Sequence, residues 1–182
     1  MRLFVAVDPP SDVVAALEQA LGERDDRLRW VPPEQWHLTL VFCGEVDDWR
    51  VADLSARLGR AAARTSPFSL RLAGAGTFPK QAAKARVLWV GVGGDVPALS
   101  RLAERCAAAA RRSGVDVEDR AYRPHLTLAR ARREATDARV EVERLASFSS
   151  GPWPVTRLRL VHSTLGARVR HETLQSWTLS SG

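Results

Sequence analysis

The string His-Leu-Thr-Leu occurs twice in this chain of 182 residues, at His37–Leu40 and again at His125–Leu128. Successive side chains of a strand point to opposite faces, so in each copy His and Thr share one face and the two Leu share the other. Each copy therefore predicts a strand with an apolar side for a core and a His-plus-hydroxyl pair on its other side. The two motif histidines are 88 residues apart, about half the chain, which fits one motif per half. A fold that packs both Leu faces into a core can bring both His-Thr faces to one place.

The flanking pattern predicts a repeated α+β rhythm. Met1–Val7 reads as a strand, followed by a helix capped by Ser11, carrying Val13, Val14, Leu17 and Leu21 on one face and ending near Gly22. Leu28–Val31 is a short strand stopped by Pro32-Pro33, and the first motif strand runs over about Trp36–Phe42. A second helix starts at Asp47 or Asp48 with Val51, Leu54, Leu58 and Ala62 inward. Phe68–Leu72 alternates and continues through Gly74 and Gly76 to Phe78-Pro79; an exposed loop is expected over Phe78–Ala85, then a strand over Arg86–Val92. In the second half, a helix from Pro97 to Gly114 precedes Tyr122-Arg123-Pro124 and the second motif strand. A charged helix over about Thr136–Ala146 and strands over about Val155–His162 and Thr173–Leu179 close the chain.

Composition bounds the setting. Hydrophobic content of 45% and charged content of 26% belong to a globular chain of one domain. No stretch approaches the roughly 20 apolar residues that span a bilayer, and no targeting segment is read, so a soluble cytoplasmic protein is expected. The net charge of +6 is carried by 25 Arg against two Lys, Lys80 and Lys84. Arg-rich coding bias and guanidinium forks suited to phosphates both account for that balance. Cys43 and Cys106 form no CxxC and are expected as buried free thiols.

Two imidazoles and two hydroxyls converging on one point are equipment for acid–base chemistry on a phosphate. Histidine titrates near pH 6.5, so one ring can be neutral while the other is protonated. Thr39 and Thr127 would hydrogen-bond the non-bridging oxygens. Arg130 is opposite in strand parity to His125, which weighs a surface arginine against a phosphate contact. Tyr122 and Phe42 could stack on a base or pack in the core; Phe78 is exposed by context. Trp30, Trp36 and Trp89 read as core. His162 and His171 are weighed mainly as strand or turn residues without a substrate role. Two histidines with no obvious third ligand make a zinc site unexpected.

The chain resembles the 2H phosphoesterase superfamily, and within it the bacterial and archaeal RNA 2′,3′-cyclic phosphodiesterases, long called 2′-5′ RNA ligases. The resemblance rests on the opening Met1–Asp8, the approach Arg29–Glu34, the first motif with Phe42–Val46 after it, Arg86–Val92, Tyr122–Arg130, and Ser163 with Leu165-Gly166. Departures are Val41, where relatives often carry a basic residue, and the region of His171, where a tyrosine is common. The resemblance implies a bilobal, duplicated α+β fold, with two small antiparallel sheets lining a central cleft and helices outside. It implies metal-independent hydrolysis of a terminal 2′,3′-cyclic phosphate on RNA to a 2′-phosphomonoester, and a related exchange joining RNA ends through 2′-5′ linkages. His37 is expected as proton donor, His125 as proton acceptor, Thr39, Thr127, Arg130, Tyr122, Phe42 and Phe78 as substrate contacts. No cofactor is expected; a monomer acting on RNA ends, tRNA halves among them, is. The rival expectations are a phosphodiesterase for a small nucleotide, such as ADP-ribose cyclic phosphate or a 2′-5′ oligoadenylate, and an RNA-end-binding protein without turnover.

Overall fold

A computed structural model of the protein describes residues 1–181. Its first part contains β1 (Arg2–Val7), α1 (Ser11–Leu21), β2 (Leu28–Trp30), β3 (Leu38–Glu45) and α2 (Asp48–Ala63). The chain continues through β4 (Phe68–Phe78), β5 (Val87–Gly94), α3 (Val96–Arg112), β6 (Leu126–Ala131), α4 (Arg139–Leu145), β7 (Trp153–Val155), β8 (Arg157–Thr164) and β9 (Arg170–Thr178). Every strand pairing is antiparallel, in the order β7-β4-β5-β6-β3-β1-β8-β9, with β2 added to β6.

The expected α+β fold is present, but in place of two sheets the nine strands form one curled antiparallel sheet whose two lobes touch at one point. The motif strands β3 and β6 meet through the single pair Leu38–Leu126. One lobe holds β3, β1, β8 and β9; the other holds β6, β5, β4, β7 and β2. The lobes are thus not the two halves of the chain. The C-terminal strands return to the first-motif lobe, and β2 crosses to the second-motif lobe, so each lobe contains chain from both ends.

The motif leucines do what alternation requires: Leu38 and Leu126 are fully buried, as is Leu128, and Leu40 is 5% exposed. They join Leu3, Val5, Leu88, Val90, Leu158 and Leu160 under the helices, where Leu17, Leu54, Leu99 and Leu102 are also fully buried. Helix α2 packs on α3, and α1 on α4. The face away from the helices carries a separate small cluster of buried apolar residues, Phe4, Ala6 and Val161. Burial is therefore one-sided, and the concave face is left open. Cys43 and Cys106 are buried free thiols, as expected.

Local differences have local causes. Helix α1 begins at Ser11 itself after Pro10, so the Ser11 hydroxyl does not cap it. Helix α3 is capped by Asp95, whose carboxylate accepts from the Ala98 N–H at 3.0 Å. The charged helix is shorter than its pattern, Arg139–Leu145, because Thr136 is drawn into a bridge with Ala85. The Phe78–Ala85 segment is exposed as expected at Pro79, Lys80, Gln81, Ala83 and Lys84, and fully buried Ala85 anchors its end. Among the described residues no helix is long and apolar enough to cross a membrane.

Candidate active site

The site grows from the Leu38–Leu126 pair. An antiparallel register carried one residue to either side sets His37 across from Thr127 and Thr39 across from His125. All four side chains rise from the concave face because both leucines point away from it. Each lobe contributes one imidazole and one hydroxyl to a small quadrilateral.

Both histidines are held by the same device. His37 Nδ1 lies 2.7 Å from the carbonyl oxygen of Gln35, and His125 Nδ1 lies 2.7 Å from that of Arg123. A carbonyl only accepts, so Nδ1 carries the proton in each ring, and in the neutral ring Nε2 is left with its lone pair. Nε2 of His37 accepts from the Thr39 hydroxyl at 2.9 Å. The orienting carbonyls are two residues upstream in both motifs, another mark of the repeat.

The rings have different walls. The ring of His125 meets the edge of Phe78 at 5.0 Å between centroids, with Trp89 at 6.4 Å. His37 stacks on Phe4 at 4.7 Å and meets His171 edge-on at 5.5 Å. Burial pushes the His37 pKa down to about 4, against the Gln35 carbonyl, which raises it; His171 and Arg159 push the same way as burial. His125 is also lowered by burial, with smaller contributions from Arg130 and Arg120. Arg159 is itself held by Asp8 in a two-pronged ion pair, Nε to Oδ2 and Nη2 to Oδ1 both at 2.6 Å.

Of the expected contacts, His37, Thr39, His125 and Thr127 converge, and Phe78 joins them against His125. Arg130 and Phe42 also reach the concave face, by a route that strand parity conceals. In β6, Thr127 pairs with Trp89 but Ala129 pairs with Leu88, so two residues of β6 oppose one step of β5. In β3, Thr39 pairs with Ala6 but Val41 pairs with Val5. Each motif strand has a bulge directly after its motif. Leu40 with Val41, and Leu128 with Ala129, all face the core, and the next residues return to the cleft side. Arg130 therefore shares a face with His125 and Thr127, contrary to the parity expectation. Phe42, 48% exposed, is its counterpart in the other lobe and lies beneath the Arg2 guanidinium at 4.8 Å.

Two expectations are corrected. Tyr122, expected as a substrate contact, packs against the core, and its hydroxyl is buried without a partner. Trp89 is not core: it alternates with buried Leu88 and Val90 and lines the cleft beside His125. Gly76 makes room for it, since a Cβ there would stand 2.5 Å from the indole. His171, expected to have no part in the site, stands in it. Its pairing with Ser163 on β8 is what places it against His37, and that pairing leaves no local signal. His162 pairs with core-facing Leu3 and points away.

A concave, open antiparallel sheet with one oriented imidazole and one hydroxyl from each lobe defines a two-histidine phosphoesterase scaffold. The chain belongs to the 2′-5′ RNA ligase superfamily, whose family description matches residues 6–167. It is 30% identical to an RNA 2′,3′-cyclic phosphodiesterase of Geobacillus stearothermophilus over 97% of this chain and 56% of that protein. An Archaeoglobus fulgidus protein of the same description is 32% identical, over 91% of this chain and 92% of its own. The crystal structure of apo Escherichia coli LigT superposes with a TM-score of 0.78 at 30% identity, covering 98% of this chain and 97% of that one. LigT has also been solved with 3′-AMP and with phosphate.

Proposed function

We propose that the protein hydrolyses terminal 2′,3′-cyclic phosphates of RNA to 2′-phosphomonoesters. The observation that carries this reading is the pair of imidazoles, both tethered through Nδ1 to backbone carbonyls, with a hydroxyl beside each motif ring. Water attacks phosphorus in line with the departing 3′-oxygen. His125 Nε2 takes the water proton as the new P–O bond forms. His37 Nε2–H gives its proton to the 3′-oxygen as the old bond breaks, leaving a 2′-phosphate and a 3′-hydroxyl. Thr39 and Thr127 hold the non-bridging oxygens, where charge develops. Because burial favours the neutral form of His37, the bound phosphate anion has to restore its proton before it can serve as acid. A 5′-hydroxyl in place of water gives a 2′-5′ linkage by the same displacement.

All four motif residues come from one chain, which supports a monomer as the working unit. RNA ends of the tRNA-half kind, met in the cytoplasm, are the proposed substrates. The test is incubation with a short RNA ending in 2′,3′-cyclic phosphate and identification of the product ends. A 2′-phosphate is expected. Bound but unchanged RNA would make the protein an end-binding module, and turnover confined to small cyclic nucleotides would make it a nucleotide phosphodiesterase.

The division of roles has its own test. A p-nitrophenyl phosphodiester has a leaving group that needs no proton. On it, His37→Ala should lose much less activity than His125→Ala. Equal losses, or the reverse order, would overturn the assignment.

A further inference from the structure

On the second-motif lobe, Arg29 of β2 is the direct antiparallel partner of Arg130 on β6. Directly opposed residues share a face with Cβ atoms about 4.5–5.5 Å apart, and like charges so placed are destabilising. Their neighbours fix which face this is. Leu28 is buried and Trp30 packs on the core, so Arg29, between them, points to the concave side, as Arg130 does after its bulge. Among the described residues, neither guanidinium has an ion pair with a carboxylate or a hydrogen-bonded partner, whereas eight other arginines hold an acidic side chain. Arg130 is made less basic by burial and then by Arg29 itself.

The other lobe provides the contrast. Its cleft-side Arg159 is neutralised by Asp8, and its counterpart of Arg130 is the uncharged Phe42. Among the described residues Arg2, over Phe42, is a lone guanidinium without a carboxylate on that lobe, whereas the second-motif lobe sets two such guanidiniums directly opposite each other. Thr127 and Arg130 lie opposite Trp89 and Val87, two residues of β5, so they are about 7 Å apart along the sheet. That is comparable to the step between successive phosphates in an extended RNA strand.

From this we infer that Arg29, paired with Arg130, forms a second anion subsite that takes the internucleotide phosphate preceding the cyclic end, so that the RNA strand leaves the cleft over the β2–β6 edge. The inference rests on the proposed phosphodiesterase reading and gives it a substrate class, an oligonucleotide rather than a mononucleotide. Arg29 touches none of the reacting atoms in this arrangement.

The experiment compares wild type, Arg29→Gln and Arg29→Lys on two substrates, a nucleoside 2′,3′-cyclic monophosphate and an oligoribonucleotide ending in 2′,3′-cyclic phosphate. With Arg29→Gln, kcat/KM for the oligonucleotide should fall by about tenfold, the order of one charge-assisted phosphate contact, while the mononucleotide stays within about twofold. Arg29→Lys should recover part of the loss. The slope of log affinity for the oligonucleotide against log salt should become shallower by about 0.7 in Arg29→Gln. Equal effects on both substrates, or no effect on the oligonucleotide, would overturn the subsite. Wild type that opened neither substrate would instead overturn the phosphodiesterase reading, and the two failures are distinct. Thermal unfolding of the variants separates either from misfolding.

Discussion

At the scale of single residues, the cleft depends on two rings that titrate. If His37 and His125 serve one displacement, replacing either by Ala should lower kcat by roughly 10²–10⁴. The double replacement should cost less than the product of the two, because loss of one partner already disables the concerted path. Near wild-type kcat in either single variant would refute the pairing. Protonation also bears on stability. His37 has an ordinary value near 6.5 when unfolded and about 4 when folded. Between those values the unfolded chain binds more protons, so stability is whole above about pH 6.5 and declines as pH falls toward 4. His125 and His171, both lowered mainly by burial, add in the same sense. The melting temperature should therefore drop across this window, and His37→Gln should flatten the drop. A wild-type melting temperature constant from pH 6.5 to 4 would contradict it. Since both motif histidines are lowered in the free protein, the bell of kcat/KM should centre on the acid side of neutrality. Bound phosphate should move the kcat profile to higher pH. A kcat/KM that climbed steadily to pH 9 would remove the imidazoles from the proton transfers.

At the scale of elements, a motif strand has two faces with separable duties. Leu126 is fully buried and Thr127 stands beside it on the cleft face. Leu126→Ala should destabilise the fold by about 2–5 kcal/mol. Thr127→Val should leave thermal unfolding nearly unchanged yet lower kcat on the cyclic phosphate, by less than a histidine variant does. Circular dichroism melts beside kinetics on both variants would show whether the costs divide this way. The motif faces are legible from sequence because alternation over four residues is enough to assign them. The bulges just beyond the motifs are not legible. A bulge at Leu40-Val41 or Leu128-Ala129 consists of two adjacent apolar residues, which composition does not distinguish from an ordinary strand. Parity counted across it sends Arg130 to the wrong face. Trp89 misleads for a related reason: an indole on a strand looks like core until Gly76 on the neighbouring strand is seen to shelter it.

At the scale of the whole molecule, the α+β class and the convergence of two motifs can be read from the repeat. The exchange of β2 and of β8–β9 between lobes cannot, because strand partners separated by more than a hundred residues leave no local trace. That exchange is what carries His171 to His37 and Arg29 to Arg130. The donor set of the assembled molecule gives a further expectation. Among the described residues, no three His, Cys, Asp or Glu side chains are gathered as a metal ion would need. Hydrolysis of the cyclic phosphate should survive exhaustive EDTA treatment. Loss of activity restored by one particular divalent ion would require a different mechanism.

The single residue pair through which β3 and β6 meet has a mechanical consequence. If one lobe swings relative to the other, Leu38 and Leu126 act as the pivot, and each atom is displaced in proportion to its distance from that pivot. His37 and Thr127 are one residue away from it, as are Thr39 and His125, so they sit where the lever arm is shortest. The rim of the cleft, with Arg29 and Phe42, sweeps through a larger arc. Such a rotation would widen or narrow the mouth while leaving the spacing of the reacting groups almost untouched.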